Sequence, residues 1–379
     1  MATSGFPFCL DWKDIVTDDC ILVLDCDQAA YVSAAGSEKR TIIVTHKKSG
    51  REMEFKNLTE FWGRQKKVVG GWLADQNMNR KVQAEAEGRV FTPWTRDDFE
   101  IRDKQVAEPV EYCLHLLKMK IDAIFDHLEM DHARGIGVLG GEDNFRLLLP
   151  SPQQYKGNRV DMIRPLLLEE CRNYVEYKYH AKVVNGIEAD DYITMLGWQG
   201  WLNYQATGKF NYMVCTFDKD NRQAPCLLFN PQRAEGKGGK ADWVYPTPML
   251  IDDSMGQIWL KKGEVKGWGK LFFGYQMLVG DATDNIRPYQ WFDGCRFGDK
   301  AAFELIGGCK DEKEMWTNIV DQYKTWFPSG KVEFTNFDGN EICLTVGQWM
   351  SIIFSMVYMK RSPNDKTTLA SELKRAGVI

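Results

Sequence analysis

Three carboxylates fall within four positions in Asn185-Gly186-Ile187-Glu188-Ala189-Asp190-Asp191-Tyr192, where a glycine-bearing loop runs into an apolar helix. Like charges this close repel one another unless they are paired or bound to cations. At about 100° per residue, Glu188 and Asp191 share one face of that helix and Asp190 is displaced from it, while Ile187, Met195 and Leu196 are spaced to bury one side. Acids in a first turn also complement the helix dipole, so an ordinary helix start accounts for the segment taken alone. Repetition gives it weight. Ile21-Leu22-Val23-Leu24 is a continuous apolar run that ends in Asp25-Cys26-Asp27, Tyr212 to Phe217 ends in Asp218-Lys219-Asp220, and Met277-Leu278-Val279-Gly280 leads into Asp281-Ala282-Thr283-Asp284. Runs of this kind suit strands buried in a parallel sheet, and open α/β sheets bind ligands at the carboxyl ends of their strands. The expected fold class is α/β, built on a central, mostly parallel sheet.

At 379 residues with 44% hydrophobic content, the chain is long enough for two or three cores. No run approaches the roughly 20 apolar residues of a membrane span, and the start shows neither the charged nor the apolar region of a secretory leader. The ten cysteines form no CxxC, and several sit inside apolar runs, which points to reduced structural thiols and a cytoplasmic setting. His127 and His132 are five positions apart, which is not the spacing of a zinc-binding helical pair. The net charge of −5 argues mildly against a polyanion ligand, but less so if many acids are reserved for cations.

Residues 37–96 read as an insertion, with strands at Thr41–Thr45 and Met53–Phe55 flanking a turn at Lys47–Gly50. Pro109 introduces a helix with apolar positions Cys113, Leu117, Ile121 and Phe125, and Ile136–Leu139 and Leu227–Phe229 read as further strands. In Tyr155-Lys156-Gly157-Asn158-Arg159, with Arg164 and Arg172 beyond, basic residues are interleaved with an aromatic and a glycine. That pattern suits phosphate contacts, or a solvated surface loop. Residues 231–241 read as a loop, and the stretch after Ile306 reads as helical through Met359, followed by a loosely held tail from Arg361.

Taken together the acids are Asp25, Asp27, Glu188, Asp190, Asp191, Asp218, Asp220, Asp281 and Asp284, with Glu142 or Asp143 as a tenth. Oxygen ligands without His or Cys select hard cations, Mg²⁺ or Mn²⁺. A pair of such ions suits phosphodiester hydrolysis.

In this order, Leu24-Asp25, Tyr155 to Arg159, Gly186-Ile187-Glu188-Ala189-Asp190-Asp191, Thr216-Phe217-Asp218-Lys219-Asp220 and Gly280-Asp281-Ala282-Thr283-Asp284-Asn285-Ile286 resemble the 5′ to 3′ exonuclease and flap endonuclease family, most nearly its bacteriophage branch. The resemblance covers residues 20 to 310 and implies a PIN-like nuclease domain at 1–256 with a basic arch around 145–180. It also implies a helix-three-turn-helix DNA-binding element at about Gly280 to Ile306, within a C-terminal helical region 257–379. It further implies a monomer acting on DNA with a 5′ end or flap, or on an RNA–DNA hybrid, in replication or DNA degradation, within the host cytoplasm if phage-encoded. Two Mg²⁺ ions, replaceable by Mn²⁺, would serve it, with K⁺ at the helix-three-turn-helix.

By the same resemblance Asp25, Glu188, Asp190 and Asp191 serve the metal nearer the cut, Asp218 is a shared or neighbouring ligand, and Asp220, Asp281 and Asp284 serve the second. Lys156 matches the family lysine at the scissile phosphate, Tyr155 stacks on a base, and Arg146, Arg159, Arg164 and Lys300 contact DNA. Two features depart from the pattern. Gly141-Glu142-Asp143 stands where the family has an acid after its second strand, and Trp291 to Gly298 lacks the usual Gly-Ile-Gly. Leu24-Asp25-Cys26-Asp27 also resembles the opening motif of haloacid-dehalogenase-like phosphatases, with Asp25 as nucleophile and Asp27 as acid and base. That alternative leaves Glu188 to Asp191 and Tyr155 to Arg159 without a role. A branched-DNA-binding protein that does not cut would be marked by a missing central acid, and none is missing.

Overall fold

In the computed structural model, which describes residues 5–64, 70–160, 162–235, 241–244 and 247–379, the Ile21–Leu24 run lies in β1 (Val16–Asp25), with Leu22 and Val23 fully buried. Five more strands complete its sheet: β2 (Gly135–Gly140), β3 (Lys182–Val184), β4 (Phe210–Cys215), β5 (Cys226–Phe229) and β6 (Met249–Ile251). Their order is β6-β5-β4-β1-β2-β3, with every neighbouring pair parallel except antiparallel β5–β6. Leu24 pairs with Cys215 and Asp25 with Val138, so β1, β2 and β4 end along one edge.

Two helices at this edge carry the acids. α1 (Cys26–Gly36) leaves β1 directly, and α2 (Ala189–Thr207) follows β3 and packs on the sheet. A Cβ at Gly197 would stand 2.8 Å from Val214 Cγ2, and one at Gly200 2.8 Å from the Tyr212 carbonyl oxygen. The two glycines thus let the helix backbone lie against β4. Val23, Val138, Val184, Ile193, Leu196 and Val214 form the shared core. At about 1.5–3 kcal/mol for each fully buried aliphatic side chain, this core fixes where the strand ends sit.

α3 (Gly269–Val279) buries Leu271, Phe272, Met277 and Leu278 in a second core. The helix Glu312–Trp326 adds Trp316 and Ile319 to it, and α4 (Val346–Val357) adds Trp349 and Phe354. Gly280 ends α3 at φ +73°. A Cβ there would stand 2.1 Å from the Ile286 carbonyl oxygen, which instead accepts the Asp281 N–H at 2.9 Å. The turn is followed by the helix Asp299–Ile306.

The chain divides into two compact units, residues 1–30, 118–163 and 172–379 in one and 31–117 and 164–171 in the other. This division differs from 1–256 and 257–379. Residues 257–379 belong to the unit of the central sheet, and the insertion expected at 37–96 lies within the second unit. There the strand Glu38–His46 pairs antiparallel with both Glu52–Phe55 and Phe99–Ala107, the hairpin turning at Lys47–Gly50 as its sequence predicts. Phe55, Phe61, Leu73 and Phe99 form its core.

Three segments differ from expectation or fall outside view. A hairpin, Lys331–Thr335 with Glu341–Thr345, interrupts the stretch read as helical. The tail is ordered by the helix Leu369–Arg375, whose Leu369 and Leu373 are buried and whose Arg375 pairs with Glu312. Of the loop expected at 231–241, residues 236–240 lie outside the described residues. No described helix is long and apolar enough to cross a membrane, and all ten cysteines are free thiols.

Candidate functional site

At the carboxyl edge of the sheet, Asp25 ends β1 and accepts a hydrogen bond from Thr216 Oγ1 at 3.1 Å just past β4. The same hydroxyl accepts the Asp218 N–H at 3.0 Å, and Asp218 Oδ1 accepts the Asp220 N–H at 2.8 Å, so one short loop aims two carboxylates at the strand ends. Asp190 enters from the first turn of α2 and is held by Asn221 Nδ2 at 3.0 Å. Burial, then the charge of Asp218, pushes the Asp25 carboxyl up to about 6. Asp190 is raised well above the ordinary range by burial, then by Asp218, Asp25 and Glu188, against which Lys156 pulls weakly. Burial and Asp218 also raise Asp220 to about 8, although Lys219 and Gln276 oppose the shift.

A second group joins the Tyr155–Arg159 loop to the turn after Gly280. Lys156, in a left-handed conformation at φ +57°, donates its N–H to the Asp284 carbonyl at 2.9 Å. Its ammonium pairs with Glu188 and lies 3.6 Å from Asp284. Burial alone would lower the Lys156 ammonium, yet Glu188 and Asp284 outweigh it and hold the group above its usual value. Arg159 pairs with Asp284, and Asn158 donates to the carbonyls of Ala282 and Thr283. Lys219 pairs with Asp281 at 2.8 Å, and together with the Thr283 hydrogen bonds it overcomes burial and leaves Asp281 below the usual carboxylate value.

Two expected acids have other partners. Asp191 is fully buried: its oxygens accept both terminal nitrogens of Arg146 at 2.6 and 2.9 Å, the Lys360 N–H at 2.9 Å and the Glu188 N–H at 3.2 Å. Arg146 is also fully buried and donates to the carbonyls of Met356 and Tyr358 at 3.0 and 2.7 Å. The expected metal ligand Asp191 therefore has its acceptor positions occupied, and the expected DNA contact Arg146 has no exposed surface. Together they form an internal clamp. Asp27 donates its N–H to Asp25 Oδ1 at 3.2 Å, while its carboxylate accepts the Gly140 N–H at 2.5 Å and pairs with Arg172, so a role as metal ligand or as phosphatase acid and base would compete with these partners.

Tyr155 is a further correction. Its ring is 2% exposed within the second core and is not available to stack on a base. Burial, then Glu188 and Asp284, keeps its phenol protonated, and the O–H lies 3.0 Å from a carboxylate oxygen of each. Arg164 is exposed in the second unit, and Lys300 is exposed on the helix Asp299–Ile306 beside Glu304. Glu142 and Asp143 are exposed. A Cβ at Gly140 would come within 3.0 Å of the Asp27 carboxylate, so Asp27 fills the space a side chain there would need.

Among the described residues, no three acidic, histidine or cysteine side chains close round a common point tightly enough to grip an ion as they stand. Their chemistry nonetheless fits one. Among the described residues, Asp25, Glu188, Asp190, Asp218, Asp220, Asp281 and Asp284 share four direct cationic partners, Lys156, Arg159, Lys219 and Arg146, the last 3.5 Å from Glu188 and already bonded to Asp191. The carboxyls raised by burial and then by mutual repulsion are all oxygen donors, the set preferred by hard divalent cations. Sequence reasoning missed the residues that hold these acids: Thr216, Asn221, Lys219 and Gln276, whose Nε2 donates to Asp220 at 2.5 Å. Only Lys219 and Thr216 had a local signal, as neighbours of Asp218.

No family model and no curated protein matches the chain. Among solved structures it is similar to the bacteriophage T5 flap endonuclease, crystallised as a pseudo-enzyme–product complex with DNA and metal ions, at 11% identity and a TM-score of 0.32 over 64% of this chain and 90% of that one. It is similar also to the T5 5′-exonuclease with divalent zinc ions bound, at 15% identity and a TM-score of 0.31 with the same coverage. Likeness at this level fixes neither fold nor activity. The chemistry of the site rests on the carboxylates themselves.

Proposed function

We propose that the protein is a divalent-metal-dependent nuclease that hydrolyses phosphodiester bonds of DNA at 5′ ends or 5′ flaps. The observation that carries this reading is the convergence of Asp25, Asp190 and Asp218 at the carboxyl edge of a parallel sheet, mutually repelling and short of cations. In this reading Asp25, Asp190 and Asp218, with Glu188, hold one ion and Asp220, Asp281 and Asp284 serve a second. Bound Mg²⁺, or Mn²⁺ in its place, would supply an activated water and stabilise the leaving oxygen.

The chain's own groups do the rest. Lys156, anchored through its backbone to Asp284, contacts the scissile phosphate once Glu188 turns to a cation. Arg159, 42% exposed in its side chain, and the exposed Lys300 and Arg164 neutralise flanking phosphates. Tyr155 positions Glu188 and Asp284 through its hydroxyl. The helix Asp299–Ile306 and the Gly280 turn grip one DNA strand as a helix-three-turn-helix, where a K⁺ ion would sit, and the protein works as a monomer in replication or DNA degradation, on RNA–DNA hybrids as well as DNA.

The test is incubation with a 5′-labelled flap duplex and, separately, with p-nitrophenyl phosphate, each with Mg²⁺ and with EDTA. Short 5′ products formed only with Mg²⁺, and an untouched ester, are expected. Ester hydrolysis with intact DNA would overturn the nuclease and make Asp25 a phosphatase nucleophile.

A further inference from the structure

Away from the acidic edge, a cavity of about 240 Å³ lies against α2, α3 and the helix Glu312–Trp326, close to the C-terminal segment. Its charges are mostly spent on one another: Lys270 bridges Asp253 and Glu312 at 3.2 and 2.8 Å, and Arg375 pairs with Glu312 and Glu372. Arg361 is different. Among the described residues no carboxylate pairs with its guanidinium, and its buried Nε has no hydrogen-bond partner. The guanidinium lies 4.8 Å from the Trp198 ring and 5.7 Å from that of Tyr358, and Phe273 and Trp316 add further aromatic lining.

A buried donor without an acceptor is costly, and a planar guanidinium fork matches the paired oxygens of a phosphate. Aromatic walls favour a flat ring. The volume falls below the roughly 300–1,000 Å³ of drug-sized sites, which limits the ligand to a compact molecule of about one base, one sugar and one anionic group. We propose that this cavity binds a small planar ring bearing a phosphate monoester, of the nucleoside monophosphate class, with Arg361 on the phosphate and the ring against Trp198 and its aromatic neighbours. Behind it, Gln223 donates to Gln276, which donates to Asp220. Binding is therefore best measured with the acidic edge stripped of metal, and it does not depend on the nuclease reading.

The experiment is isothermal titration calorimetry of the full chain in EDTA with thymidine 5′-monophosphate, thymidine, inorganic phosphate and benzoate. The nucleotide is expected to bind at least tenfold more tightly than each of the other three. Arg361→Gln should weaken nucleotide binding tenfold or more and Arg361→Lys less, with circular dichroism melts showing that both variants fold. Asp190→Asn, which removes the proposed cleavage chemistry, should leave nucleotide affinity unchanged, so either reading can fail alone. Absence of nucleotide binding, equal affinity in folded Arg361→Gln, or thymidine, phosphate or benzoate binding as tightly as the nucleotide would overturn the proposal.

Discussion

Asp190 and Asp191 are adjacent in the chain and have opposite surroundings. Asp191 is shut inside the protein with every acceptor position used, bonded to Arg146, Lys360 and Glu188. Asp190 has one amide and otherwise faces other carboxyls. A helix turns about 100° per residue, so neighbours point in different directions, one toward the second core and one toward the strand ends. An acidic run is thus a division of labour between a charge that is fully paired and charges left waiting for cations.

The largest expected effect separates the two directly. Asp190→Asn should lower flap cleavage by about 1,000-fold, equivalent to about 4 kcal/mol of barrier, while the thermal midpoint holds or rises because a repelling charge is gone. If Asp190→Asn melts the protein as much as Asp191→Asn, the contrast between the two positions fails. Breaking the clamp comes next. Arg146→Met leaves a buried carboxylate unpaired and should cost about 3–5 kcal/mol of unfolding free energy in urea titrations. The double variant Arg146→Met/Asp191→Leu should recover most of that loss, and no recovery would mean that the pair does more than balance charge.

Lys156→Ala should slow the cleavage step by about 100-fold, the order expected for one lost charge-stabilising donor, and shift DNA affinity far less. Equal losses in both would make Lys156 a general phosphate contact. The smallest effect is the pH dependence of the metal-free protein. Asp220 and Asp25 titrate near 8 and 6 when folded, above the unfolded carboxyl value of about 3.9. Their raised values mean that the folded state holds more protons, so the penalty is full above pH 8 and is relieved as pH falls through about 8 and then about 6. The thermal midpoint in EDTA should therefore rise between pH 8.5 and 5.5, and added Mg²⁺ should flatten that slope by raising the midpoint mainly at the alkaline end.

What the sequence disclosed follows from the range of each interaction. Asp25 and Asp218 were legible because the pattern recurs along the chain, where one acid after an apolar run would read equally as a simple turn, and both lie just past the ends of sheet strands. Asp191 was misread because periodicity gives the face of a helix but not the residue that arrives against it, and Arg146 comes from 45 positions away. Tyr155 sits in a motif whose basic members are accessible, but its ring packs into a core assembled from residues more than a hundred positions later. Asn221 and Gln276 carry no local signal, since an amide that orients a carboxylate looks like any polar side chain until the fold closes. The Lys331–Thr345 hairpin lay in the stretch read as helical although it carried a local signal: Val332 and Phe334 alternate on one side of Asp338-Gly339 as Ile342 and Leu344 do on the other.

The clamp has a consequence for how the protein is made. Arg146 reaches the carbonyl of Met356 across 210 positions and that of Tyr358 across 212. While the chain is still being translated, the Asp191 carboxylate and the Arg146 guanidinium can meet, but the carbonyls that complete the guanidinium's hydrogen bonds have yet to leave the ribosome. The hydrogen bonds of the guanidinium that holds Asp191, in the first turn of α2 beside Asp190, are complete only after Met356 and Tyr358 have been made. A chain cut short before Met356 would carry every acid of the site and lack the backbone that holds them.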